Sequence, residues 1–322
     1  MRYLVTGCAG FIGSHLCHEL LENNHEVIGV DSLNSYYSVK IKKSNLENLK
    51  RFGERFTFYE MDVNAIEKSI FSKIDGVFHL AAQAGVRSSW GSNFSEYVKN
   101  NLLATQKIFD YTKDGLPVIY ASSSSVYGNS NHYPVIEDDV MSPRSPYGVT
   151  KAGGDLLAQA YLNNFDSKLI GVRYFTVYGP RQRPDMAFTR ICSSLLSNDV
   201  FPIYGTGQQI RDFTYVSDAV KATVLLMDQK VTGIFNIGGG EETTLLNAIG
   251  LFEGISGKKL NVTTEYSAKG DVEKTGASTL KLTQLTGWTP KFNMVSVIEA
   301  QWNWALKNKL AIIESVREFR DI

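Results

Sequence analysis

Short runs that are apolar at every position recur through the first half of the chain: Tyr3-Leu4-Val5, Val27-Ile28-Gly29-Val30, Gly76-Val77-Phe78, Pro117-Val118-Ile119-Tyr120 and Leu169-Ile170-Gly171-Val172. A strand with one wet face alternates apolar and polar residues, whereas a run apolar throughout is covered on both sides, as in a parallel sheet. Between these runs, residues 12–23, 95–113 and 147–164 carry helical periodicity and are long enough to be crossovers. Strand, helix, strand order predicts a doubly wound parallel α/β sheet of the Rossmann type.

Beyond residue 180 the pattern becomes irregular and arginine-rich, with helical stretches at 188–197, 245–256 and 295–307 and apolar strand-like runs at 212–216 and 235–237. This predicts a smaller C-terminal α/β substrate domain interleaved with the end of the sheet. Residues 1–178 with about 212–238 would form the dinucleotide-binding unit, and about 179–211 with 239–322 the substrate unit. Such a division suits 322 residues. The 33 basic and 33 acidic side chains cancel, which argues against a nucleic-acid or anionic-membrane binder. No apolar run approaches the roughly 18 residues of a membrane span, and no signal-peptide pattern opens the chain. Cys8, Cys17 and Cys192 form no CxxC pair and accompany no histidine cluster, so no disulfide framework or metal site is expected. The expectation is a soluble cytoplasmic protein.

Gly7-Cys8-Ala9-Gly10-Phe11-Ile12-Gly13 follows the first strand and opens the first helix. Glycines there let backbone N–H groups approach a pyrophosphate at a helix N-terminus. Asp31 closes the second strand, where a carboxylate accepts both ribose hydroxyls of an adenosine and repels a 2′-phosphate. No arginine occurs in the eight positions after Asp31, although Lys40, Lys42 and Lys43 lie downstream. NAD is therefore expected over NADP.

Tyr147 and Lys151 stand at i and i+4 in Ser145-Pro146-Tyr147-Gly148-Val149-Thr150-Lys151, on one face of a helix starting near Pro146. A phenol of pKa ~10 is a poor base at neutral pH, and a neighbouring ammonium is expected to lower it. Ser122-Ser123-Ser124-Ser125 lies just past the carboxyl end of the strand through Val118, where open α/β sheets bind ligands. Serine, tyrosine and lysine together are a proton-transfer set for a secondary alcohol. Arg181, Arg183 and Arg190 could form only a solvated cationic face, but two arginines with Pro184 and Asp185 in one loop suit a bidentate anion clamp.

With these residues in place, the chain resembles the extended short-chain dehydrogenase/reductase family: the spaced glycines, the strand-end serines followed by Val126-Tyr127-Gly128, and Ser-Pro-Tyr147 with Lys151. His79-Leu80-Ala81-Ala82, Asn100-Asn101, Arg173-Tyr174-Phe175, Arg211-Asp212-Phe213 and Phe235-Asn236-Ile237-Gly238 are similar to its nucleotide-sugar epimerase branch. The segment from Arg173 to Phe188 is most similar to UDP-glucuronate 4-epimerases. The resemblance implies NAD held by Gly7, Gly10, Phe11, Ile12, Gly13, Asp31, Asp62, Val63, Leu80, Ala81, Ala82, Asn100, Tyr147, Lys151 and Tyr174. It implies a UDP-sugar held by Arg87, Ser123, Ser124, Ser125, Tyr147, Thr176, Arg183, Tyr204 and Arg211. Arg211 would meet the diphosphate, residues 201–205 the uracil, and Thr176 with Arg183 the sugar carboxylate.

The implied activity is reversible inversion at C4, most directly of UDP-glucuronate to UDP-galacturonate, through a 4-keto sugar. Tyr147, Lys151 and Ser123 would be its catalytic residues. The alternatives are a UDP-glucose or UDP-N-acetylglucosamine 4-epimerase, or a decarboxylase or dehydratase. Those lyases resemble this chain but carry acidic residues just before Val-Tyr-Gly, where Ser124 and Ser125 stand. A catalytically silent NAD-binding protein would be expected to have lost Tyr147 or Lys151. Lys274-Thr275-Gly276-Ala277-Ser278 departs from the Ala-Asp pair common in related epimerases, so the outer lid is expected to differ. The family also implies a homodimer through a four-helix bundle, and Leu102, Leu103, Ile108, Leu156, Leu157 and Tyr161 extend the apolar surface of the two helices concerned.

Overall fold

The computed structural model describes residues 1–229, 231–266 and 269–320. The chain begins β1 (Arg2–Thr6), α1 (Phe11–Glu22), β2 (Glu26–Asp31), α2 (Val39–Lys50), β3 (Phe56–Glu60), β4 (Gly76–His79), α3 (Phe94–Tyr97), α4 (Ala104–Thr112), β5 (Pro117–Ser123), α5 (Pro146–Asn164) and β6 (Lys168–Tyr174). It continues with β7 (Thr176–Tyr178), α6 (Ala187–Ser197), β8 (Phe201–Tyr204), β9 (Ile210–Tyr215), α7 (Val216–Asp228) and β10 (Gly233–Ile237). Last come β11 (Glu241–Thr244), α8 (Leu245–Ser256), β12 (Val262–Glu265), α9 (Leu280–Thr286), α10 (Met294–Lys307) and α11 (Lys309–Arg320).

The main sheet has the order β10-β6-β5-β4-β1-β2-β3, and every pairing in it is parallel. Its strands are apolar on both faces because both are covered. Leu4, Val77, Val118 and Leu169 pack with Ile108, Phe109 and Ala158 on one side. Val5, Phe78, Ile119 and Ile170 share the other core with Leu16, Leu20, Ala222 and Leu226. Each such side chain contributes on the order of 1.5–3 kcal/mol by leaving water. The chain runs outward from β1 through β2 to β3, then returns to β4 and runs the other way. The crevice outside the carboxyl ends of β1 and β4 is thus the switch point where such sheets take ligands.

A second core lies beyond the sheet edge, where Phe188 of α6 stacks on Phe213 of β9 at 4.8 Å and meets Phe252 of α8 edge-on at 5.2 Å. Phe213 draws β9 away from the main sheet into a small one with β7 and β11. Within the expected 212–238 segment, Phe213 packs in the second core, whereas Val216, α7 and β10 pack with the main sheet. The 95–113 stretch is one helical run interrupted by a π-helical segment, Val98–Leu103. Of the ranges expected for the two units, residues 230, 267–268 and 321–322 lie outside the described residues.

Candidate active site

The turn between β1 and α1 is built around its glycines. Gly7 has φ +72°, and a Cβ there would come 2.8 Å from the Ala81 nitrogen; a Cβ on Gly13 would run into the Gly7 carbonyl. The Gly7 N–H donates to the Val30 carbonyl (2.8 Å), tying the turn to the end of β2. Gly10 caps α1 without a side chain, and the first turn has no acidic residue. Its N–H groups and the positive end of its dipole are left for an anion. Asp31 accepts from the N–H groups of Ala9 (3.1 Å) and Leu33 (2.9 Å). Burial pushes its carboxyl up, while Lys42 pulls it back. The Lys42 ammonium donates to the Asn34 carbonyl (2.8 Å) and side-chain oxygen (2.7 Å).

Further along this cleft, of about 390 Å³, lie Asp62, Val63 and residues 80–82. The π-helical segment divides two neighbouring asparagines between jobs: Asn100 lines the cleft, and Asn101 is buried behind it. Asn101 accepts from the Gln83 N–H (2.8 Å) and donates to the Gln83 carbonyl and the Thr150 hydroxyl (3.0 Å each). An extra residue in the turn is a known device for re-aiming side chains at functional sites.

Ser145 caps α5 by accepting from the Gly148 N–H (3.1 Å), and Pro146 opens the helix with its φ already set. Tyr147 and Lys151 follow one turn apart beside Ser123 at the end of β5. Burial pushes the Tyr147 phenol up, opposed by a hydrogen bond with Ser123 and the nearby Arg183 guanidinium. Lys151, expected to tune that phenol, stands one helical turn further along α5. Its ammonium donates to the Ala121 carbonyl (2.8 Å), sits 6.0 Å from the Tyr147 ring centre, and is itself pushed down to about 8 by burial.

A second cleft of about 660 Å³ adjoins the first through Thr176 and Tyr36. The Arg87 guanidinium lies 3.9 Å above the Tyr204 ring, and Asp271 pairs with both Arg211 (2.7 Å) and Arg87 (3.7 Å). Arg183 lines the first cleft, its Nε and Nη2 donating to the two oxygens of Asp185 at 2.9 Å each. One edge of that guanidinium is thus taken, and its Nη1–Nη2 edge remains for a ligand. The three arginines of this stretch, two in the loop and Arg190 on α6, point to different partners. Arg181, in the left-handed region at φ +66°, turns back to the Ser14 hydroxyl (3.4 Å), and Arg190 lies 5.7 Å over Phe201.

Every residue expected at the dinucleotide lines the first cleft, together with Ser123, Ser124, Ser125, Thr176 and Arg183; Arg87, Thr176, Tyr204 and Arg211 line the second. Residues 3–238 match the NAD dependent epimerase/dehydratase family. This chain belongs to that family. Among its similar members, a Bacillus subtilis (strain 168) protein named an uncharacterized UDP-glucose epimerase, YtcB, is 40% identical, covering 98% of this chain and 99% of the relative. The UDP-glucuronate 4-epimerase of Thermodesulfobacterium geofontis (strain OPF15) is 37% identical, covering 98% of this chain and 99% of its own. The crystal structure of UDP-glucuronic acid 4-epimerase from Bacillus cereus with UDP-glucuronic acid and NAD superposes with a TM-score of 0.92 at 39% identity, over 95% of this chain and 99% of that one.

The site fits the cofactor of an NAD dependent epimerase/dehydratase: uncapped N–H groups for the pyrophosphate, Asp31 for a ribose, and the apolar Val63, Leu80 and Ala81 for a ring. Sequence reasoning missed Asn34, Tyr37 and the role of Lys42 in the first cleft, and Asp271 and Phe319 in the second. Lys42 and Phe319 stand on α2 and α11, two helices absent from the expected elements. The pairing of Asp271 with two distant arginines carries no sequence signal, whereas Asp185 stands two positions from Arg183 in the expected clamp.

Proposed function

We propose that this chain interconverts UDP-glucuronate and UDP-galacturonate by inversion at C4. The observation that carries this reading is the Arg183 guanidinium on the wall of the cleft that also holds Tyr147, Ser123, Lys151 and Thr176. A neutral hexose has no charge to offer that cation, whereas a carboxylate gains a charge-assisted pair from its free edge.

NAD, when bound, supplies the hydride acceptor and donor. Tyr147 takes the proton of the C4 hydroxyl and later returns it, and Ser123 hydrogen-bonds the same oxygen as it becomes a carbonyl. Lys151 holds a positive charge behind them and binds the cofactor's ribose. Inversion requires the 4-keto sugar to present its other face, so the grip belongs on UDP. Arg87, Tyr204 and Arg211 provide it, leaving the sugar few contacts. A 4-keto uronate is a β-keto acid, and Arg183 with Thr176, by holding the carboxylate, resist its loss as CO2.

Asp31, Asp62, Asp185 and Asp271 are the carboxylates lining the two clefts among the described residues. Only Asp185 is among the charges acting on Tyr147, and Arg183 holds both its oxygens. This favours an isomerase over a lyase that needs a free acid beside the sugar. The purified protein should convert UDP-glucuronate to UDP-galacturonate, identified by NMR, in parallel with UDP-glucose and UDP-N-acetylglucosamine incubations. Turnover of the neutral sugars alone would overturn the substrate assignment.

The proposed enzyme is a homodimer. Leu103 and Leu156 are 56% and 55% exposed on the outer faces of the two helical runs, whereas Ile108 belongs to the chain's own core. Three free, buried cysteines suit a reducing cytoplasm.

A further inference from the structure

Arg173 and Asp155 form the most deeply buried ion pair among the described residues, with side chains 4% and 3% exposed and Nε 3.0 Å from Oδ2. Well-packed apolar residues often serve stability as well as such a pair, so its hydrogen bonds are the better guide to its role. Asp155 accepts the Tyr120 hydroxyl at Oδ1 (3.2 Å) and the Ser122 hydroxyl at Oδ2 (3.0 Å). Those two residues flank Ala121, whose carbonyl accepts the Lys151 ammonium (2.8 Å), and Ser123 follows directly. A Cβ at Gly171 of β6 would run into the Tyr120 hydroxyl, so β6 is bare where that hydroxyl passes. On its other side Arg173 donates through Nη1 to the Tyr127 hydroxyl and the Glu137 carbonyl, both at 2.8 Å, which anchors the pair in the loop after β5.

We propose that Arg173 and Asp155 are a positioning pair for the proton-transfer residues. Through Tyr120 and Ser122 they fix the end of β5 that supplies Ser123 and the acceptor for Lys151, and Asp155 places a negative charge one helical turn from that ammonium. The groups facing Lys151 are the Ala121 carbonyl of β5, His79 of β4, and Tyr147 and Asp155 of α5. His79, held between the hydroxyls of Thr6 (2.8 Å) and Thr105 (3.1 Å), is pushed down to about 3 by burial and stays neutral. Asp155 is thus the charge that opposes burial at Lys151. Burial pushes the Asp155 carboxyl up, and Arg173 with the two hydroxyls pulls it back.

The kinetic part rests on the C4-epimerase reading; the titration of Lys151 does not. In the holoenzyme with 13C-labelled lysine, the Lys151 Cε resonance, assigned with Lys151→Arg, should titrate lower by about one pH unit in Asp155→Asn. In Asp155→Glu it should stay near the wild-type midpoint. The alkaline limb of kcat for UDP-glucuronate should move with it, since activity is lost as Lys151 loses its proton. The double variant Tyr120→Phe/Ser122→Ala keeps the charge and removes the tether. It should lower kcat about tenfold with KM and NAD content unchanged. A shift under about half a unit in Asp155→Asn, or a kcat loss under about threefold in the double variant, would overturn the proposal. Should Asp155→Asn fail to fold, the double variant decides by the same threshold. Failure of the wild type to turn over UDP-glucuronate, with the Lys151 shift still present, would refute the substrate reading and leave the electrostatic role standing.

Discussion

In the proposed reaction Tyr147 carries the proton transfer and Arg183 the selectivity, and their substitutions should fail differently. Tyr147→Phe removes the proton carrier but fills the same space, so kcat should fall by roughly 10²–10⁴-fold while NAD content and thermal stability stay near wild type. Activity within tenfold of wild type would assign proton transfer elsewhere. Arg183→Ala should cost about 2–4 kcal/mol on UDP-glucuronate, roughly thirtyfold to a thousandfold in kcat/KM, with little effect on neutral UDP-hexoses. That variant also strips Asp185 of its partner, so Arg183→Ala/Asp185→Ala separates recognition from repulsion by a bared carboxylate. Equal losses on acidic and neutral sugars would make Arg183 a structural residue. At this scale the sequence was most legible where spacing along one element fixes geometry, as for Tyr147 and Lys151 on α5. It was least legible where a partner comes from tertiary packing, as for Arg181, which at φ +66° turns back to Ser14 of α1.

A half-buried histidine, His15, and a buried one, His79, join elements around the cofactor cleft. His15 of α1 bonds the Pro180 carbonyl (2.9 Å) of the loop that carries Arg183, and His79 links Thr6 of β1 to Thr105 of α4. Burial pushes both down to about 3 from an ordinary value of 6.5. The unfolded chain therefore binds protons first on acidification: stability is full above about pH 6.5 and is lost progressively as pH falls towards 3. Urea midpoints measured from pH 7.5 to 5 should fall for wild type and fall less steeply for His15→Gln, whose amide keeps a donor. Parallel slopes would place the acid sensitivity in other groups. Among elements, strands covered on both faces were readable because their apolar runs are continuous. Edge strand β3 (Phe-Thr-Phe-Tyr-Glu), half exposed, was not, and the π-helical segment is fixed by Asn101 reaching Gln83 and Thr150.

Over the whole molecule, the cofactor cleft belongs to the sheet and the outer cleft to its meeting with the second core. Thr176 and Tyr36 line both. Helix α11 contributes Val316 and Phe319 to the outer cleft, and Phe319 meets Tyr36 edge-on at 5.4 Å. The doubly wound sheet was legible because strand and helix alternate along the chain. The departure of β9 into a separate small sheet was not, since it follows from Phe213 stacking on Phe188. If the exposed leucines on α5 and its neighbour pair two copies, sedimentation at micromolar concentration should give a dimer, and Leu103→Lys/Leu156→Lys should give a folded monomer. A wild-type monomer would count against the pairing. The most direct test of inversion by hydride return is UDP-[4-2H]glucuronate in ordinary water. The expected product is UDP-galacturonate with deuterium retained at C4 and no CO2 released. Loss of the label to solvent, or formation of a UDP-pentose, would contradict it.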